Sequence, residues 1–487
     1  MRKRITGGRS RTVRWIERSA LLVVLGSVLG TGCASDDDDD GQAGEGGETA
    51  ASGGTGGGKS GSGGTAGKGG ASGRGGASAG KAGSGSGGGN TSGGSGGSAT
   101  SGGDAGMENG GTGGGKAGSG SSGTNGSSGS SGTSSGTSTA AEAARKLGRA
   151  PNFLIGMGND LAEDHDEDGA YTLGVTLDLH YAYLVGLPGE GGWPDWNEGG
   201  EFVNILADTA DAHGVTPMYD IYSMASRGEA NLEPLTDEEF MSKYWEALLL
   251  LYERLAVFDK PAVVHFEPDF WAFAQQESEG DPSSVPALVG SMVEECADEP
   301  EDLAGLGRCM VSLGRLYAPK VLLGFHASRW AGEPADTVDF LNGVGAGESD
   351  FIGMDLLDRD AGCFEEGTDE ACQRDDGPWY WDETNQTSPN FHEYIAWSAE
   401  IGEGLGVPPL WWQIPFGVPS DEPGGTSGHY RDNRVHYIFS HIDEFVDAGG
   451  LGAVFGVGAE NQTYITTDGG QFQAAVENYF AAPVPLP

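Results

Sequence analysis

The feature that most constrains this chain is a unit repeated from about residue 150 onward. Each copy has a short run of β-branched or aromatic residues, then a loop, then in most cases an amphipathic helical stretch. Eight such runs are present, at 152–158, 177–186, 216–223, 262–270, 321–328, 351–358, 409–417 and 452–458. Helical patterning separates most of them, as in "EFVNILADTADAHG" and "DEEFMSKYWEALLLLYERLAVFD". Eight alternations favour a sheet that closes on itself over an open one, so the expected fold class is α/β, a (β/α)8 TIM-type barrel over 150–487. The first unit departs from the pattern: "GNDLAEDHDEDGAYTLGV" carries no helical periodicity and reads as a long loop.

Alternation within the strands predicts which side chains face inward. In "AVVHFEPDF" Val264 and Phe266 share one face, and His265, Glu267 and Asp269 the other. The apolar set suits the helix layer, leaving the polar set inside. The same reasoning places Asp178 and His180, Asp220, His326 and Ser328, Asp355, and Gln413 inward. Polar groups at C-terminal strand ends are where barrels of this kind place chemistry, although any one of them alone also suits a hydrogen-bonded interior layer. Eight of the eleven tryptophans lie in the seventh strand or in segments following strands, among them Trp271, Trp330, Trp411 and Trp412. Flat amphipathic rings beside carboxylates and amides suit a pyranose, which stacks through its apolar face and hydrogen-bonds through its hydroxyls. The strand histidines lack the spacing of a zinc site.

The beginning of the chain has a different character. Seven Lys or Arg within residues 2–18 precede the apolar run "ALLVVLGSVLG" and then "TGC", which reads as a secretory signal over 1–32. The small residues before Cys33 resemble a bacterial lipoprotein signal. That resemblance implies a lipidated Cys33, anchorage to a membrane, and a domain held in the bacterial cell envelope, either periplasmic or at the cell surface. Residues 33–149 are dominated by Gly, Ser, Ala and Thr, with too few large apolar side chains to offset the entropy of ordering, so a disordered Gly/Ser-rich linker is expected.

Charge and cysteines narrow the partners. The chain holds 27 Lys or Arg and 72 Asp or Glu, of which 12 and 61 lie in residues 151–487, so that segment carries a formal charge of −49. Such a surface repels nucleic acid and favours neutral or cationic partners. Four cysteines follow Cys33, and in an exported chain the sequence-local pairs Cys296 with Cys309 and Cys363 with Cys372 are the expected disulfides. No cofactor is required, but "DHDEDG" offers Asp164, Asp166 and Asp168 on alternate positions before Gly169, an arrangement suited to a structural Ca2+ and equally to a solvated acidic loop.

The strand order, "HFEPDFW" and the aromatic-rich loops together resemble the (β/α)8 glycoside hydrolases. In their large retaining clan a fourth-strand Glu is the acid/base and a seventh-strand Glu the nucleophile. Glu267 matches the first, whereas Gln413 stands where the second would be, and Glu422 lies further along a loop. "EPD" at 267–269 and "DLLDRDAGC" at 355–363 are also similar to segments of family-six cellulases, in the opposite order. The resemblance implies a polysaccharide or oligosaccharide substrate, and the separation expected across the barrel between Glu267 and its partner carboxylate points to an inverting acid/base reaction. Glu267 is then the acid, with a pKa raised by burial near Trp271 and by neighbours such as Asp269, and Asp355 is the base, with Asp220 as the alternative. Positioning falls to His180, Tyr181, Tyr219, Trp271, His326, Arg329, Trp330, Trp411 and Gln413. The competing expectation is a catalytically inactive surface barrel that binds glycans.

Overall fold

The structure, a computed structural model, describes residues 139–158, 169–374 and 377–487. The expected signal and linker up to residue 138, Cys33, and the calcium candidates Asp164, Asp166 and Asp168 lie outside the described residues. By its contacts the chain divides into two units, one of which, Thr31–Ser131, falls wholly outside them.

All eight expected strands form, and they close into one parallel barrel. They are β1 Leu154–Gly158, β2 Leu179–Val185, β3 Thr216–Tyr222, β4 Ala262–Phe266, β5 Val321–Ala327, β6 Phe351–Asp355, β7 Pro409–Ile414 and β8 Gly452–Phe455. Each pairs with its neighbours in sequence, and β1 closes against β8 through Leu154 opposite Gly452. The helices that cover the barrel start and stop where local chemistry dictates. Helix Glu238–Phe258 begins at Asp237, whose carboxylate accepts from the Glu239 and Phe240 N–H groups, and ends at Asp259 in the left-handed conformation. Asn390 caps helix Phe391–Leu405 in the same way, and Gly406 terminates it.

The folded segment starts earlier than composition indicates. Residues 140–146, assigned above to the linker, form a helix with a capping box between Thr139 and Glu142 and four buried alanines. Lys146 pairs with Asp350 at 3.0 Å just before β6, and Arg149 donates to the Thr216 hydroxyl at the start of β3. This helix therefore packs at the N-terminal end of the barrel, where a short alanine face needs little room. Both expected disulfides are present, Cys296–Cys309 joining a turn to helix Leu303–Tyr317 and Cys363–Cys372 lying within the β6–β7 connection.

Glycines shape the interior. A Cβ at Gly353 of β6 would overlap the His265 imidazole, one at Gly158 of β1 would overlap the Tyr181 ring, and one at Gly324 of β5 would overlap Phe351. Bare backbone on one strand thus makes room for a large side chain on another. Between β7 and β8 the register shifts, Ala453 pairing with Trp411 but Phe455 with Ile414, so an extra residue is accommodated at Trp412–Gln413.

Candidate active site

Four inward side chains form a continuous hydrogen-bonded run across the interior. Asp220 on β3, fully buried, lies 2.9 Å from His265 Nδ1 through Oδ1, and its Oδ2 accepts from Trp412 Nε1 at 2.9 Å. His265 Nε2 is 3.1 Å from His326 Nδ1 on β5, and His326 Nε2 is 3.3 Å from Asp355 Oδ1 on β6. Only the last member opens toward solvent: the Asp355 side chain is 26% exposed against 1% for His326. Parity places all four correctly, since β4, β5 and β6 each carry a single polar residue, and on β3 Asp220 takes the face opposite Pro217, Tyr219 and Ile221.

Protons can be counted along this run. Its three hydrogen bonds need three protons, and two neutral imidazoles supply two. The third must sit on a histidine or a carboxyl group. Burial, and then His326, push the His265 pKa well below its ordinary value, so a positive charge on His265 is disfavoured.

Around Asp355 the barrel mouth gathers further groups. Asp269 follows β4 with φ 68°, and its pKa is raised to about 6, chiefly by burial, with Glu229 and Asp355 adding repulsion while His326 and Tyr222 oppose the shift. The Tyr222 hydroxyl donates to Glu229 at 2.6 Å and lies 3.3 Å from Asp269 Oδ2. Gln413, also left-handed at φ 52°, donates to the Tyr183 hydroxyl. Tyr183 in turn packs edge-on against Trp412 at 5.8 Å and Tyr222 at 6.0 Å. Arg359 supplies the local positive charge, interacting with Asp269, Glu229 and Tyr183.

Glu267 departs from the parity expectation. Its φ of 44° breaks the alternation and turns the carboxylate toward the end of β3, where Oε1 accepts from Ser223 N at 3.2 Å and Oε2 from Met224 N at 3.0 Å. The Tyr244 hydroxyl, from helix Glu238–Phe258, completes its surroundings. The residue is 1% exposed, and burial raises its pKa to about 8 against the opposing pull of these donors. Left-handed backbone at a non-glycine residue costs about 1 kcal/mol or more, so Glu267, Asp269 and Gln413 together mark a mouth whose shape is held by the surrounding fold.

Several other expected positions are corrected. His180 points out of the barrel, with Nδ1 2.8 Å from the Tyr171 hydroxyl, because the inward residues of β2 are Tyr181 and Tyr183. Tyr219 also faces the helices and donates to Val203 O at 2.7 Å. Trp271 is buried against Phe325 and donates to Phe266 O, and Trp411 is buried against Phe153 and Phe445. On β7 it is Trp412 that fills the interior, and Gln413 regains the mouth only through its left-handed backbone beside the register shift. Tyr181 lies in the interior beneath the mouth, 5.9 Å from Trp412. Trp330 is 43% exposed and packs on Phe273, and Arg329 beside it is exposed at the turn after β5. Tyr183, Tyr222, Glu229, Arg359 and the interior role of Trp412 were not singled out from sequence. For Tyr183 the signal was its two-residue spacing from Tyr181.

No protein-family model matches the chain, and neither does any curated protein. Among solved structures it is similar to the GH53 catalytic domain of Ignisphaera aggregans, at 11% identity and TM-score 0.42, over 67% of this chain and 96% of that one. GH26C from Muricauda sp. MAR_2010_75 follows at 12% identity and TM-score 0.39, over 68% and 86% of the two chains. D-Psicose 3-epimerase from Clostridium cellulolyticum H10 gives 14% identity and TM-score 0.35, over 67% and 98%. Likenesses at this level assign no residue a role.

Proposed function

We propose that the barrel hydrolyses glycosidic bonds in a neutral carbohydrate, with Asp269 as proton donor and Asp355 as base. The observation that carries this reading is the run from buried Asp220 through His265 and His326 to Asp355, ending at a mouth where Asp269 titrates at about 6. Glycoside cleavage needs one protonated and one ionised carboxyl group in the same site. Burial, with repulsion from Glu229 and Asp355, favours the proton on Asp269, while Asp355, more open to solvent and 3.3 Å from His326 Nε2, serves as the base.

In the reaction Asp269 gives its proton to the glycosidic oxygen as the bond from that oxygen to the anomeric carbon breaks. A water molecule loses a proton to Asp355, and its oxygen forms the new bond to that carbon. The leaving sugar departs as an alcohol carrying the Asp269 proton, Asp355 holds the proton taken from water, and exchange with solvent returns Asp355 to the anion and Asp269 to the acid. Strands β4 and β6 flank β5, so their backbones stand roughly 9–10 Å apart along the wall, a spacing compatible with the water of an inverting reaction. Glu267 takes a different part here: with both oxygens engaged by the β3 backbone, it positions the loop that starts at Ser223. The basic start, apolar run and Cys33 support export and lipid anchorage of this activity at the cell envelope.

The test is reducing-end release from a panel of neutral polysaccharides. Asp269→Asn and Asp355→Asn are each expected to lower turnover by about 10² or more, and kcat/KM of the parent should fall about tenfold per pH unit above roughly pH 6 as Asp269 ionises. Parent-like turnover by Asp269→Asn refutes the assignment. Binding without turnover in the parent replaces it with the glycan-binding reading.

A further inference from the structure

A second concave feature lies on the same end of the barrel, built by the connections that follow β6 and β7. It is a cleft of about 460 Å3, lined among others by Pro378, Tyr380, Trp381, Thr387, Ser388 and Asp421. Its volume is that of a small-molecule site. The walls are held from behind. The Arg431 guanidinium sits 4.0 Å from the centre of the Tyr380 ring, and Glu365 fixes that guanidinium through contacts of 2.7 and 2.5 Å. Glu365 also accepts from Gly424 N at 2.6 Å, which ties the stack to the β7–β8 connection. In the same connection Asp382 accepts from the backbone N–H groups of Thr384, Gln386 and Thr387, at 2.8, 2.9 and 2.8 Å. A ligand entering the cleft therefore meets an aromatic ring whose orientation is already set, next to hydroxyl and carboxylate groups.

From this we infer that the cleft is an outlying glycosyl subsite, so that the substrate is an oligomer or polymer rather than a simple glycoside. The inference rests on the proposed hydrolysis at the mouth. Tyr380 offers a flat apolar face. The Thr387 and Ser388 hydroxyls, whose protons go to Asp382 and Glu393, and the Asp421 carboxylate line the same cleft as acceptors. No Lys or Arg lines the cleft, which disfavours anionic sugars. Because the ring is fixed by Arg431 and Glu365 before binding, little conformational entropy is lost on stacking.

The experiment uses the full chain with neutral gluco-, manno- and xylo-oligosaccharides graded from disaccharide to hexasaccharide. Tyr380→Ala is expected to reduce the ratio of kcat/KM for the hexasaccharide over the disaccharide about tenfold, a loss typical of one aromatic stack, whereas Tyr380→Phe keeps the parent ratio. Asp421→Asn, at an exposed position, serves as a second variant if the alanine replacement fails to fold, and should lower the same ratio. A parent-like ratio in Tyr380→Ala, with turnover intact, overturns the subsite and leaves the mouth chemistry standing. Hexasaccharide binding by calorimetry that depends on Tyr380, in a parent that turns over no glycan, overturns the hydrolysis and keeps the subsite. Absence of both binding and turnover overturns both.

Discussion

Replacing Glu267 with glutamine separates a buried acid that supports the fold from one that is exposed to substrate. The folded protein holds this carboxyl at a pKa of about 8, against 4.5 in an unfolded chain, with burial the principal cause. A carboxyl with a raised folded pKa contributes stability that is fully present below pH 4.5 and is lost as pH rises through 8. Between pH 5 and pH 8 the parent should lose roughly 3–4 kcal/mol through this group alone. Glutamine does not titrate, but it turns an amide donor toward the Ser223 or Met224 N–H, a constant cost of about 1–3 kcal/mol. The variant should therefore be less stable than the parent at pH 5 and equal or more stable at pH 8. Guanidinium unfolding of both proteins across this range, with disulfides intact, measures the difference directly. Asp269, Asp178 and Asp360 also have raised pKa values, and they cancel in the comparison because both proteins carry them. A stability difference constant to within about 1 kcal/mol from pH 5 to 8 would show that the backbone donors keep Glu267 ionised, and the reasoning from burial would fail.

Two further predictions concern the interior run. Asp220→Asn can accept from His265 or from Trp412 but sets its amide against the other, so it should cost about 1–3 kcal/mol and lower turnover; an unchanged Tm with parent kinetics would refute the role of that carboxylate. Gly353→Ala should displace His265 and destabilise by about 1–3 kcal/mol, and pairing it with His265→Ala should cost less than the two changes added separately. Additivity in that double-mutant cycle would mean the two positions do not compete for one volume.

Strand positions were legible in the sequence because β-branched and aromatic runs recur between amphipathic helices, and the closed barrel followed from their number. Which face each strand turns inward was legible only where the two faces differ chemically. On β3 to β6 they do, and Asp220, His265, His326 and Asp355 were placed correctly. β2 carries large side chains on both faces, so the polar character of His180 pointed the wrong way. β7 presents adjacent tryptophans of equal apolarity, and the register shift beside them leaves no mark on residue type. Alternation also stops at the strand ends, where left-handed backbone at Glu267 and Gln413 redirects the side chains. That conformation is imposed by tertiary packing, and no local pattern of residues announces it. The Cys296–Cys309 and Cys363–Cys372 pairs were readable from sequence proximity alone.

The glycines that leave room for large side chains of other strands bear on the order in which such a barrel can change over generations. A lineage cannot place a methyl group at position 353 while His265 keeps its imidazole, so the histidine must shrink first, and that step cuts the run to Asp355. The same precedence holds between Gly158 and Tyr181, and between Gly324 and Phe351. Descendants that retain the interior histidines should therefore retain the glycine opposite them, whereas those that lose the histidines become free to fill the gap. Among future relatives of this chain, a side chain at position 353 would thus serve as a historical record that the interior histidine run had already been abandoned.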